Sequence, residues 1–82
     1  MSNNRVILKT IYNNENELIK FILLVQRMIR KDFKQQLNTL KISSMEAKQI
    51  IENIIFNPKN KNKSLEYIKQ LIKLEFIEFF NL

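Results

Sequence analysis

An 82-residue chain has room for one compact domain of three or four helices and none for a second, and 45% apolar with 27% charged residues is globular composition. The absence of cysteine and histidine excludes disulfides, thiolate nucleophiles, zinc–thiolate sites and imidazole bases, and the absence of glycine removes phosphate-cradling loops and most tight hairpins. A formal charge of +6 draws the protein toward polyanions or acidic protein surfaces without choosing between them.

The first segment, Asn4 to Tyr12, reads as a short amphipathic helix with Val6, Ile7 and Ile11 clustered and Asn3 or Asn4 as its cap. No acidic residue precedes Glu15, which is also the pattern of a mitochondrial targeting segment. A polar break at Asn13, Asn14, Glu15 and Asn16 follows. From Glu17 a helical pattern runs to about Leu40, with Leu18, Ile22, Val25, Ile29, Phe33, Leu37 and Leu40 on one stripe.

Ser43 and Glu46 have the spacing of a capping box, which predicts a third helix with Ala47, Ile50, Ile51, Ile54 and Ile55 on its apolar face. Phe56-Asn57-Pro58 ends it, and Asn57 to Lys63 forms a polar basic loop. Ser64 caps the last helix, Leu65 to about Phe80. Leu65, Ile68, Leu71, Ile72, Phe76 and Phe79 face the core, and Tyr67, Leu74, Ile77 and Phe80 widen the apolar surface beyond what a small bundle needs. The fold expected is all-α, a small irregular bundle of three to four helices in which residues 1–82 form a single helical domain. With glycine absent, asparagine is expected at any left-handed backbone position. No run of apolar residues approaches the ~20 needed to span a bilayer.

The residues point to binding rather than catalysis. Ser2, Ser43, Ser44 and Ser64 stand at expected helix starts, where capping is their natural work, and no base accompanies them. Glu75 and Glu78 lie three apart without a histidine to complete a metal site, so they read as solvated charge. Asp32 is expected to form a surface ion pair with neighbouring basic residues. No cofactor and no metal are expected.

Two features are candidates for a binding surface. Lys20, Arg27, Lys31, Lys34 and Lys41, with Arg30 adjoining, fall opposite the apolar stripe of the second helix and suit phosphates or carboxylates. Tyr67, Leu74, Ile77 and Phe80 form the apolar candidate on the last helix. Phe21 and Phe33 belong to the core stripe rather than lying among the cations, which argues against base stacking.

The segment Arg27-Met28-Ile29-Arg30-Lys31-Asp32-Phe33-Lys34 resembles the R-x-I-R-x-x-F-R/K element in the second helix of LYR-motif proteins, small basic helical adaptors of mitochondria. Ile11-Tyr12-Asn13 looks like their Leu-Tyr-Arg signature, with Asn13 in the arginine's place. The resemblance implies a mitochondrial assembly factor or accessory subunit that binds an acyl carrier protein, with Arg27, Arg30, Lys31 and Lys34 meeting the carrier's acidic face.

The leading expectation is a non-catalytic protein-binding adaptor or small subunit of a larger assembly. One alternative is a basic helical nucleic-acid-binding module, such as a ribosome-associated protein or a phage or plasmid regulator, that adds Lys59, Lys61 and Lys63 to the basic residues of the second helix. Another is a homo-oligomer that buries the last helix of one copy against that of the next.

Overall fold

The Asn14 side chain accepts a hydrogen bond from the Glu17 backbone N–H at 3.2 Å, so the longest helix, α2, begins at Glu15 and runs to Asp32. It dominates the computed structural model of the chain, which describes residues 6–82. Among these residues the other helices are α1 (Leu8–Tyr12), α3 (Lys34–Thr39), α4 (Ser44–Ile55) and α5 (Leu65–Phe79), with a short 3₁₀ turn at Pro58–Asn60. The fold is all-helical, and α2, α4 and α5 are its main helices.

The pattern expected to carry one helix to Leu40 is broken at Phe33, which leaves helical geometry at φ −122° and ψ 29°. The cause is tertiary. Phe33 is buried, with its ring centroid 6.0 Å from that of Phe76 on α5 and 5.5 Å from that of Phe80 at the C-cap of α5. The break sacrifices little of the ladder, because the Phe33 N–H still donates to the Ile29 carbonyl and the Phe33 carbonyl still accepts from Leu37. Beyond the break the stripe loses its direction, and Leu40 ends 54% exposed.

Two left-handed residues end helices without glycine. After α3, Lys41 adopts φ 55° while the Lys41 and Ile42 N–H groups donate to the carbonyls of Asn38 and Leu37. After α5, Asn81 adopts φ 62° while the Asn81 and Leu82 N–H groups donate to Glu78 and Ile77. Both are Schellman closures. Asparagine fills one of these positions, as composition suggests; the other falls to a lysine.

The serine caps stand where the sequence places them. Ser43 Oγ accepts from the Glu46 N–H at 3.1 Å and Glu46 Oε1 accepts from the Ser43 N–H at 3.0 Å, while Ser64 Oγ accepts from the Tyr67 N–H at 3.1 Å. The first helix departs from expectation. The expected caps Asn3 and Asn4, and Ser2, lie outside the described residues, and α1 starts only at Leu8, with Ile7 at its N-cap and no side-chain bond. Residues 6–8 instead run against the start of α5. Val6 accepts from Leu65 at 2.8 Å, and the first α1 donors, Leu8 and Lys9, bond to the carbonyls of Lys63 and Lys61 at 2.8 and 2.9 Å. The loop does what an asparagine cap was expected to do.

One core joins all three main helices: Phe21, Ile22, Val25 and Ile29 from α2, Ala47, Ile51 and Ile55 from α4, and Ile68, Ile72 and Phe76 from α5. Leu8 and Ile11 of α1 close it at one end and Phe33 at the other. Leu18, Leu37, Ile50, Ile54 and Leu65 pack around it partly buried. Within the chain α2 and α5 point the same way, since Lys69 lies beside Leu24 and Met28, Lys73 pairs with Asp32, and the C-terminal Phe76 and Phe80 meet Phe33.

Candidate basic and apolar interaction face

The exposed side of α2 follows from its 3.6-residue period. Lys20, Arg27 and Lys31 lie along one line with Arg30 beside it, and all four are exposed. Lys20 is held to Glu17, Nζ to Oε1 3.7 Å. Arg27, Arg30 and Lys31 have no ion-pair partner among the described residues. The predicted stripe is shorter in the structure: Lys34 begins α3 beyond the Phe33 break, and Lys41 sits at the left-handed position after α3. Both are exposed, but neither continues the line of α2.

Large apolar side chains stand among these cations. Ile19 is 47% exposed, Leu23 54% and Leu24 50%. The same angular count that gives the core stripe puts Leu23 and Leu24 outside it and Ile19 at its edge, so this signal was available in the sequence. Leu24, Arg27, Met28, Lys31 and Asp32 line a shallow groove of about 350 Å³ with Lys69 of α5 as its far wall. Asp32 Oδ2 lies 3.2 Å from Lys73 Nζ, so its partner comes from α5 rather than from the adjacent basic residues of its own helix.

The apolar candidate on α5 divides in two. Tyr67 and Leu74 are exposed, as an interaction surface requires. Ile77 and Phe80 pack against the core, and the Phe80 ring lies 6.0 Å from that of Phe76. Phe79, expected in the core, is 50% exposed and edge-on to Phe80 at 5.4 Å. The exchange follows from the aromatic cluster: Phe80 extends toward Phe33 at the C-terminal end of α2, and Phe79 is left outside.

The basic loop is built for structure. Asn57 Oδ1 accepts from the Lys59 N–H, and Asn60 Nδ2 donates to the Ile54 carbonyl at 2.8 Å, satisfying one of the last carbonyls of α4. Lys61 Nζ lies 5.8 Å from the Tyr12 ring centroid and Lys63 Nζ 5.2 Å from that of Tyr67, within cation–π range. The Tyr12 hydroxyl donates to the Ile55 carbonyl, and burial raises its phenol above the ordinary value. Asn13 is the C-cap of α1.

Among the described residues, no group of three or more acidic side chains is placed to hold a metal ion, and no helix is long and apolar enough to cross a membrane. None of the protein-family models, curated proteins or solved structures compared with the chain matches it.

Proposed function

We propose that the protein is a non-catalytic protein-binding adaptor or small accessory subunit, and that it takes an acidic, partly apolar protein surface on the outer face of α2. The observation that carries this reading is the interleaving of half-exposed Ile19, Leu23 and Leu24 with Arg27, Arg30 and Lys31. A lone lysine row on a helix is ordinary solvated surface. Apolar side chains of this size left in water beside cations with no ion-pair partner supply both parts of an interface, area to desolvate and charge to orient the partner.

The test is the triple variant Arg27→Glu, Lys31→Glu, Lys34→Glu. All three positions are exposed, and glutamate is a good helix former, so the fold should persist by circular dichroism. Binding of the native partner, recovered by crosslinking at endogenous level, should fall, most steeply at low salt where screening is weakest. Undiminished partner binding by the folded variant would refute the reading. The same protein titrated with duplex and single-stranded nucleic acid separates the nucleic-acid alternative, whose affinity must drop steeply with salt.

The exposed quartet Arg27, Arg30, Lys31 and Lys34 favours a narrower second reading, in which the acidic partner is an acyl carrier protein, as the LYR resemblance implies. Titration with acylated and unacylated carrier tests it. No binding of either form removes it.

A further inference from the structure

Two exposed stripes on this molecule match each other. On α2, Ile19, Leu23, Arg27 and Arg30 follow one another at intervals of four, four and three residues. On α5, Tyr67, Leu71, Glu75 and Glu78 do the same. Both spacings trace one face of a helix, so each set forms a continuous line about 16 Å long at 1.5 Å per residue. Ile19, Leu23 and Tyr67 are exposed apolar side chains and Leu71 is half-buried; Arg27, Arg30, Glu75 and Glu78 are exposed and make no ion pair among the described residues. Reading from the N-terminus, each stripe is apolar in its first half and charged in its second, with opposite sign.

We propose that the α2 stripe of one copy of this chain docks, parallel and in register, on the α5 stripe of a second copy. Ile19 then lies beside Tyr67, Leu23 beside Leu71, Arg27 beside Glu75 and Arg30 beside Glu78. The inference rests on the reading of α2 as a partner face and names that partner's chemistry: an apolar half followed by two carboxylates one helical turn apart. A register slip of one turn in either direction puts an arginine against leucine or a glutamate against leucine, which penalises the wrong pairing. Lys63, 5.2 Å from the centroid of the Tyr67 ring, borders the first contact.

The two stripes cannot meet within one chain. The side of α2 turned to α5 carries Leu24, Met28 and Asp32, with Arg27 at the outer lip of the same groove, and the side of α5 turned to α2 carries Lys69 and Lys73. At 100° per residue the centre of each stripe lies well over a quarter-turn from that contact. Because the stripes face away from each other, a pair of copies uses one stripe from each and leaves the other two open. The contact is between unlike surfaces, so association proceeds past the dimer, unlike the symmetric contact of one last helix on another.

Sedimentation of the full chain over a concentration series at low and high salt tests this. The expected result is association that grows beyond the dimer with concentration and weakens with salt. Arg27→Glu with Arg30→Glu, and separately Glu75→Arg with Glu78→Arg, should each raise the concentration for half-association about tenfold or more, since attraction becomes like-charge repulsion at two positions. Mixing the two double variants should restore association, because each then meets a complementary stripe. Circular dichroism of each variant establishes that it is folded. A chain that stays monomeric throughout, folded variants that associate as before, or a mixture that does not recover overturns the proposal. A monomeric chain whose endogenous partner is still lost with Arg27→Glu and Arg30→Glu overturns only the second copy as occupant and leaves α2 as a partner face.

Discussion

The two ends of α5 are closed by different physics. At its C-terminal end, Phe33, Phe76 and Phe80 bring their rings together within 5.5 to 6.0 Å, and the chain bends out of α2 to allow it. At its N-terminal end the buried side chains are aliphatic, Leu8, Ile11 and Ile68, and residues 57–65 are also tied to residues 6–9 and to the end of α4 by backbone and amide hydrogen bonds. One end is held by aromatic burial, the other adds a set of hydrogen bonds to aliphatic burial. These terms differ in size, since a buried aromatic ring contributes several kcal/mol whereas a hydrogen bond nets about one.

Truncating the aromatic end should therefore break the molecule first. Phe33→Ala removes a buried ring from contact with two others, and we expect a loss of about 3 kcal/mol or more in denaturant unfolding. Partner binding should fall only as far as folding does. At the other end Asn60→Ala, which leaves the Ile54 carbonyl with only the longer 3.3 Å bond from the Asn57 N–H, and Tyr12→Phe, which removes the hydroxyl that donates to Ile55, should each cost about 1 kcal/mol by the same assay. Losses as large as that of Phe33→Ala would mean that the hydrogen-bonded end is as central to stability as the core.

Lys41→Gly probes the same comparison from the stabilising side. A side chain at φ 55° carries a steric penalty that glycine escapes, so the variant should gain roughly 1 kcal/mol, read as a rise in Tm. Tyr12 gives the smallest effect. Its phenol is raised above 10.0 by burial, so the folded state favours the neutral form. That contribution is complete below the unfolded value and is lost as pH rises through the higher folded one. Alkaline unfolding followed at 295 nm should show a late tyrosinate step that is absent in Tyr12→Phe.

The helices were legible because their signals are local. The Ser43–Glu46 box, the Ser64 cap and the isoleucines of α4 need only the chain within a few turns. What sequence reasoning missed was set across the fold. The break at Phe33 exists because Phe76 and Phe80 hold its ring, and the late start of α1 reflects carbonyls supplied by Lys61 and Lys63. Periodicity alone also assigns Phe79 to the core, because it cannot register that Phe33 draws in Phe80 instead. The basic face was partly visible. Its cations stand out in the sequence by charge alone, while the exposure of Ile19, Leu23 and Leu24 between them depends on which side of α2 the other helices cover.

The backbone bonds between Val6 and Leu65 and between Leu8 and Lys63 close a ring that takes in α1 to α4 and leaves α5 to run on from it. Closing so long a loop costs only about 0.6 kcal/mol more than closing one of half the length, yet that entropy is spent before any contact between the ends repays it. This clasp should therefore be the last part of the molecule to form and the first to open. The Leu8, Lys9 and Leu65 amides should exchange with solvent well ahead of those at Ile29 or Ile72, whose carriers open only with the whole domain. An unclasped molecule would still hold α2, α4 and α5 together, so the face that meets a partner can outlast the fastening of residues 6–9 to the start of α5.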